Sequence, residues 1–316
     1  MKIGMLFPGY GSQYVGMGKE LYDTSRTVQE YFEEASNCLN ENFVKLCFAS
    51  SDAELGKMSN AYSALFLVRV SIFALLKEKG IMPDIVASYN LGEYSALSAV
   101  GGLSFPDGLY LLNKFAHFYQ EACRSMEVAI TQVTGVSRNV LKEVFAAIPN
   151  TELLTVAFYH SPTDHIVTGY CTAIKAFEER ICSYENAKIK SLSPAVGLHS
   201  SLMNQVAGQF SIYLSKVDFH NLNVPLINCV DAQEVTMGQE VKNGVIAQIT
   251  QPIVWDRVLN QISSCDLLIE IGPGTFLSEL AKKQYPDKQI ISVQKQADIN
   301  KLIKIVERSD NRNPEL

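Results

Sequence analysis

Blocks of hydrophobic and polar residues along the chain predict strands that lead closely into helices. The clearest block is the apolar run at 85–87, which is typical of a buried strand and is followed within a few residues by a helical pattern. Two small residues, Ser88 and Gly92, flank the turn between them and place Asn90 at its tip. A strand that turns this sharply into a helix is the setting of a nucleophile elbow. We call residues 88–92 the elbow.

The same patterning predicts the other elements of the chain. Strands are predicted at 2–7, 128–136, 153–159, 165–169, 187–192, 224–230, 267–271 and 289–293. Helices are predicted at 20–39, 61–79, 91–100, 105–123, 139–147, 172–184, 202–215, 238–248, 255–263, 274–283 and 299–308. This alternation predicts an α/β fold, an α/β-hydrolase-like core with a parallel sheet.

The order of elements changes in the middle of the chain. Strand, helix, strand, strand, helix and strand follow one another there, which predicts an inserted ferredoxin-like subdomain. We therefore expect a large α/β-hydrolase-like domain at 1–125 and 192–308 and a ferredoxin-like subdomain at 126–191. Residues 309–316 are polar and are expected to form a flexible tail.

Composition narrows the classes of function. The net charge of −6 over 316 residues argues against nucleic acid as the main partner. Seven scattered cysteines without a CxxC pair favour reduced thiols in a cytoplasmic protein and no metal site. The N-terminus enters a strand at once, so we expect no signal peptide. The apolar stretch at 61–76 contains Arg69, is too short to span a bilayer, and is expected to be a buried helix.

The elbow carries a chemical conflict. An amide such as that of Asn90 is not a nucleophile of the kind that covalent catalysis uses. Asn does tolerate a left-handed backbone, and Asn90 with Glu93 matches a capping box, so the residue also has a structural explanation. Near the N-terminus, the glycines around Tyr10 predict a tight turn with exposed N–H groups.

Several motifs carry a family resemblance when they are taken in order. They are Phe7-Pro8-Gly9-Tyr10-Gly11-Ser12-Gln13, Leu91-Gly92-Glu93-Tyr94-Ser95-Ala96-Leu97, Gln120-Glu121-Ala122, Ser161-Pro162, His199-Ser200-Ser201-Leu202-Met203, Gln251-Pro252-Ile253-Val254-Trp255 and Ile271-Gly272-Pro273-Gly274. With them the chain resembles malonyl-CoA:acyl carrier protein transacylase and the acyltransferase domains of fatty-acid and polyketide synthases.

The resemblance implies a mechanism in which an elbow Ser takes the acyl group and a downstream His activates it. His199 matches that base, and the backbone N–H groups of Leu91 and Tyr10 match the oxyanion hole. A family Arg that grips the malonyl carboxylate corresponds to Phe115. Lys114 is next to it but points about 100° away on a helix.

Four positions depart from the family pattern. Asn90 replaces the Ser nucleophile, Tyr89 the preceding His, Tyr10 a Gln and Phe115 the Arg. The resemblance places Tyr89 and Phe115 in the acyl pocket, where bulky or apolar side chains would fill space or disfavour a carboxylated substrate. So many joint differences favour natural divergence over an engineered Ser-to-Asn change. The other histidines, His117, His160, His165 and His220, show no ligand spacing and are expected to be surface residues or polar residues with satisfied hydrogen bonds.

Two hypotheses follow, and whether the chain is an enzyme stays open between them. The first is a member of fatty-acid or polyketide biosynthesis that is catalytically impaired or non-catalytic. It would bind acyl carrier protein, or a synthase or active acyltransferase, and not nucleic acid or membrane. The second is a divergent acyltransferase or acyl-thioester hydrolase in which His199 is the base and the acyl group carries no carboxylate. Neither requires a covalently bound cofactor; coenzyme A or a phosphopantetheine thioester is the expected ligand.

Overall fold

A computed structural model of the protein describes residues 1–148, 154–193 and 197–310. Its strands, in chain order, are β1 (Ile3–Phe7), β2 (Ile85–Ser88), β3 (Val128–Thr134), β4 (Leu154–Ser161), β5 (Asp164–Tyr170), β6 (Lys188–Ser191), β7 (Leu226–Ile227), β8 (Glu234–Val235), β9 (Leu267–Ile271) and β10 (Gln289–Val293). Its helices are α1 (Lys19–Thr24), α2 (Arg26–Leu39), α3 (Phe43–Ala49), α4 (Asp52–Leu55), α5 (Met58–Glu78), α6 (Gly92–Ala99), α7 (Phe105–Ser125), α8 (Arg138–Ala146), α9 (Cys171–Ile181), α10 (Asn204–Leu214), α11 (Gly238–Thr250), α12 (Trp255–Gln261), α13 (Phe276–Gln284) and α14 (Gln296–Asp310).

The larger sheet has the strand order β10-β9-β1-β2-β7-β8. Its strands pair in parallel, apart from β8, which is antiparallel to β7. Every residue of β1, β2 and β9 is buried, as expected for parallel strands that are covered on both faces. The predicted α/β core with a parallel sheet is confirmed.

The smaller sheet is antiparallel, with the order β4-β5-β3-β6. Helices α8 and α9 share a separate hydrophobic core with this sheet, which includes Val133, Leu141, Val167 and Phe177. The order of strands and the β-α-β-β-α-β connection are those of a ferredoxin-like unit, so the predicted insertion is confirmed. The division at residues 126 and 191 stays our proposal.

Some element bounds differ from the predictions. The predicted helix at 20–39 is two helices, because Ser25 is extended (φ −127°) and its hydroxyl caps α2. The helix predicted at 202–215 begins with a 3-10 turn, Ser201–Met203. The last helix continues to Asp310, so the start of the predicted tail is helical. Residues 311–316 of that tail lie outside the described part of the chain.

Helix α5 is the most apolar of the long helices. The helix is longer than the apolar stretch 61–76, and by length and composition alone its 21 residues could cross a membrane. However, 83% of its most apolar window is buried inside the protein, as for the core helix of a folded domain. The prediction that it is a buried helix is therefore confirmed.

The parallel pairing of β1 and β2 sets up the functional region. Phe7 and Ser88, the last residues of the two strands, lie opposite each other, so the loops after them meet at one edge of the sheet. Helix α6 starts against β1 so closely that a Cβ atom on Gly92 would lie 2.0 Å from the carbonyl oxygen of Phe7. Only glycine fits there, which explains one of the two small residues that flank the elbow.

Candidate active site

Asn90 occupies the tip of the turn between β2 and α6, as the sequence predicts. Its backbone is left-handed, with φ of 54°, a conformation that Asn adopts more readily than most residues. The predicted capping box is wrong, because α6 has no side-chain cap and Glu93 points elsewhere. Asn90 therefore suits the turn through its backbone conformation and not through a cap.

His199 lies beside Asn90, and the amide Nδ2 of Asn90 is 3.0 Å from His199 Nε2. On its other side, Nδ1 of His199 hydrogen-bonds the backbone carbonyl of Gln248. A carbonyl only accepts, so Nδ1 carries the proton and Nε2 accepts from Asn90. Burial lowers the pKa of His199 to about 4, against a smaller raising effect of the Gln248 carbonyl. The imidazole is therefore neutral at pH 7.

The carbonyl end of the same amide is also engaged. The backbone N–H of Leu91 donates to Oδ1 of Asn90. This N–H is one of the two that the sequence predicts as oxyanion donors. The side chain of Asn90 thus connects the predicted base to a predicted oxyanion donor, and it leaves neither of these contacts to a ligand.

A small pocket, defined by Asn90, Leu91, Phe115 and His199, lies behind the amide. Its volume is about 10 Å³, which is at the lower limit for a single water molecule. Phe115 is 4% exposed and packs on Tyr119 and Phe210, with ring centroids 5.8 and 5.2 Å away. An acyl group therefore has no room beside Phe115. The neighbouring Lys114 points away and lies over the rings of Tyr110 and Tyr213.

In front of Asn90 lies a larger cavity, which we call the main cleft. Its volume is about 420 Å³, and its walls include Tyr10, Tyr89, Gln132, His160 and Phe276. Among the described residues that line it, none is a Lys, Arg, Asp or Glu. The cleft can hold an extended uncharged group, and its own wall provides no ion pair for a carboxylate.

Tyr10 lies on the rim of this cleft. Its hydroxyl donates to the carbonyl of Gly56 (3.4 Å), and its ring contacts Tyr62 edge to face. A Cβ atom on Gly9 would lie 3.1 Å from the carbonyl oxygen of Tyr89, so the first glycine loop touches the elbow. The role of the Tyr10 N–H as an oxyanion donor stays a prediction.

Buried Arg69 holds this loop from below. Its Nη2 donates to the carbonyl of Gly9 and lies 3.5 Å from the hydroxyl of Ser12. Desolvation lowers the pKa of Arg69 to about 9, and Glu270 opposes that shift. From the sequence, Arg69 was recognised only as a residue that disfavours a membrane span. Its signal was a single charged residue inside an apolar helix, which needs a polar partner when it is buried.

Tyr89 connects the elbow to the small subdomain. Its hydroxyl is 2.7 Å from Nε2 of His160, and its ring stacks on Phe158 at a centroid distance of 5.0 Å. Nδ1 of His160 faces a carboxylate oxygen of Asp164 at 3.5 Å. The structure places Tyr89 and His160 in the cleft wall. His160 is a hydrogen-bonded polar residue, as expected, but its place in the cleft was not predicted.

The buried carboxyl group of Glu93 is connected to His199 through Gln248. Glu93 accepts a hydrogen bond from the side-chain amide of Gln248, whose backbone carbonyl holds His199. Burial raises the pKa of Glu93 to about 8, while a contact with Cys229 partly lowers it. Glu93 is therefore mainly protonated at pH 7. The sequence assigned Glu93 to a cap because its partner lies 155 residues away.

Comparisons with known proteins agree with this architecture. The family model described as "Acyl transferase domain" matches residues 5–303. The chain is 33% identical to the malonyl CoA-acyl carrier protein transacylase of Bacillus subtilis (strain 168), over 98% of this chain and 99% of that protein. The crystal structure of the corresponding Clostridium perfringens transacylase superimposes with a TM-score of 0.94 at 26% identity, covering both chains completely.

A second solved structure is a holo complex. It contains a type II polyketide acyl carrier protein with its malonyl transacylase, and it matches with a TM-score of 0.91 at 25% identity, over 96% of this chain and 100% of the matched chain. The family match, the identity and the superposition all extend along almost the whole sequence. The chain belongs to the acyl transferase family and is related to the malonyl-CoA:acyl carrier protein transacylases.

Proposed function

We propose that this chain is a non-catalytic or strongly impaired acyltransferase of fatty-acid or polyketide biosynthesis. It binds an acyl carrier protein, or a synthase or active acyltransferase, without forming an acyl-enzyme at the elbow. The expected small ligand is the thioester arm of phosphopantetheine or coenzyme A. The relatives support this partner, since one matched structure is a complex with an acyl carrier protein.

The side-chain amide of Asn90 is the observation that carries the proposal. An amide nitrogen has no lone pair available for attack on a thioester, and this one is already bonded to His199. The amide oxygen takes the hydrogen bond of Leu91 that a thioester oxygen would need. The side chain of Asn90 therefore provides no nucleophile, and it occupies both the base His199 and the oxyanion donor Leu91.

The cavities support binding without transfer. The small pocket of about 10 Å³ leaves no space for an acyl group between Phe115 and His199. The main cleft of about 420 Å³ remains open and reaches Asn90, and an extended thioester arm fits a cleft of this size class. The protein would hold the arm without a place to receive the acyl group.

The alternative is catalysis by His199 on a thioester that carries no carboxylate. The neutral imidazole with its lone pair on Nε2, and the uncharged cleft wall, are the features that favour it. Against it, Asn90 occupies Nε2, and a base whose pKa is about 4 is weak for activating water at pH 7. We therefore favour the non-catalytic hypothesis.

The test combines mass spectrometry with a binding measurement. The protein is incubated with malonyl-CoA or acetyl-CoA, and its intact mass is compared with that of the Asn90→Ser variant. We expect no acyl adduct on the wild type, while a type II holo acyl carrier protein still binds in calorimetry. A stoichiometric adduct on the wild type, or the absence of carrier binding, would contradict the proposal.

The state of the cysteines bears on the cellular compartment of the protein, which is part of this proposal. All seven cysteines are free thiols, and three of them, Cys47, Cys229 and Cys265, are buried. Free thiols fit a reducing compartment, so we propose that the protein works in the cytoplasm. Alkylation of the native protein in cell extracts, followed by peptide mass spectrometry, would show whether the exposed cysteines are reduced there.

A further inference from the structure

Two chemical groups and the main cleft meet at the side-chain amide of Asn90. Leu91 N–H donates to its oxygen, His199 Nε2 contacts its nitrogen, and the main cleft lies in front of it. Asn90 is half-buried, so water in the cleft can reach it. In hydrolytic sites, a backbone N–H and an imidazole act in this way on the carbonyl of a substrate. Here the carbonyl belongs to the chain itself.

The contact with Leu91 prepares the amide carbon as an electrophile. Attack on Cγ moves negative charge onto Oδ1, and the N–H of Leu91 already points at that atom. A donor in place before the reaction stabilises the charge without reorganisation. Oδ1 of Asn90 therefore occupies the place where a substrate oxyanion would develop charge.

His199 can move the protons that this reaction needs. The carbonyl of Gln248 holds the proton on Nδ1, so Nε2 is unprotonated and its electron pair is directed at the amide nitrogen. When its hydrogen bond with the amide opens, Nε2 can accept a proton from an attacking water and pass it to Nδ2, which lies 3.0 Å away in the closed contact. A base with a pKa of about 4 does this weakly at pH 7, which is why the reaction is expected to be slow. Breaking the amide bond requires that nitrogen to be protonated as it leaves.

We propose that Asn90 is a site of slow self-catalysed deamidation. A cleft water adds to Cγ, its proton goes to His199 and then to Nδ2, the Cγ–Nδ2 bond breaks, and ammonia leaves. The product is an ordinary aspartate at position 90. The proposal does not depend on carrier binding. It gives the elbow tip a carboxylate, which belongs to the class of covalent nucleophiles.

The geometry also predicts which product forms. The usual alternative for Asn is attack by the following backbone nitrogen on Cγ, which yields a cyclic imide and then isoaspartate. The N–H of Leu91 instead lies in hydrogen-bonding contact with Oδ1, and such donors prefer positions near the plane of the carbonyl. Attack on Cγ needs an approach perpendicular to that plane. Direct hydrolysis to aspartate is therefore expected.

The experiment follows oxygen-18 into individual peptides. The full-length protein is incubated in buffer made with oxygen-18 water, then digested, and the Asn90 peptide is measured by mass spectrometry. The Asn90→Asp variant supplies the reference peptide. Asn40 is an internal control, because it has a similar left-handed backbone, with φ of 51°, but is exposed at the end of α2.

We expect label in the Asn90 peptide well above that in the Asn40 peptide, with aspartate and not isoaspartate as the product. In His199→Ala, labelling at Asn90 should fall on the order of a hundredfold, while labelling at Asn40 stays the same. Equal labelling at the two sites, isoaspartate at position 90, or unchanged labelling in a folded His199→Ala protein would overturn the proposal. If that variant does not fold, the wild-type ratio and product still decide. Carrier binding is measured separately, so the two proposals fail independently.

Discussion

The hydroxyl of Tyr89 and Nε2 of His160, 2.7 Å apart, connect the elbow of the large domain with strand β4 of the small subdomain. Nδ1 of His160 faces Asp164, so a proton on Nδ1 directs the lone pair of Nε2 at the tyrosine. Burial, followed by the nearby Asp164, raises the pKa of Tyr89 well above its usual range. Tyr89 therefore stays protonated and donates across the boundary between the two units.

Removal of the Tyr89 hydroxyl should destabilise the fold. In Tyr89→Phe the buried Nε2 of His160 loses its partner, which typically costs about 1–3 kcal/mol. Urea unfolding at pH 7 measures the difference. Tyr119→Phe is the control, because Tyr119 lines the same cleft and its hydroxyl has no hydrogen bond within the described residues. Equal losses in the two variants would show that the contact with His160 contributes nothing.

His199 should make stability fall in acid. Its pKa is lowered from 6.5 to about 4 in the fold, so between these values the unfolded chain binds the proton and the folded chain does not. Stability is then lost as the pH falls from 6.5 towards 4, by about 3 kcal/mol over the whole window. Urea unfolding of the wild type and His199→Gln at several pH values measures this. Parallel profiles for the two proteins would contradict the assignment.

Glu93 should make the fold less stable as the pH rises, which is opposite to the effect of His199. Its pKa is raised from 4.5 to about 8, so between these values the folded chain keeps a proton that the unfolded chain has lost. Stability therefore decreases as the pH rises through this window. Glu93→Gln removes the titration, and it keeps an oxygen that can accept from the amide of Gln248. Relative to the wild type, the free energy of unfolding of the variant, measured with urea, should increase from pH 5 to pH 8. A difference between the two proteins that stays constant with pH would contradict the assignment.

The position of the site could be predicted from sequence, because it depends on local features. Ser88 and Gly92 flank a turn after an apolar strand, and the structure has that turn with Asn90 at its tip. The two hydrogen bonds of the amide could not be predicted as a unit, since His199 lies 109 residues away. The position of His160 could not be predicted for the same reason, because its partner Tyr89 lies 71 residues away, in the turn after a strand of the other sheet.

Most of the regular elements could also be predicted, and the missed ones share a cause. Helices α3 and α4 have seven and four residues, too few to show a clear 3.6-residue period. Strand β7 has only two paired residues, although the apolar pattern predicts a longer strand at 224–230. β7 lies between β2 and the edge strand β8, which has only two residues and limits the pairing on that side. This short edge strand cannot be recognised from the residues of β7 alone.

Restoring the nucleophile should not restore the family reaction by itself. In Asn90→Ser the hydroxyl would regain His199 as a base, yet Phe115 still fills the small pocket of about 10 Å³. Phe115→Leu in the same protein removes part of the ring and opens space beside the new serine. We therefore expect faster labelling by acetyl-CoA in the double variant than in Asn90→Ser, measured by intact mass over time. Phe115→Leu alone is the control and should stay unlabelled. Equal rates in the single and double serine variants would show that Phe115 does not close the site.

Malonyl-CoA should remain a poor acyl donor in both serine variants, since the described wall of the main cleft has no Arg or Lys to pair with its carboxylate.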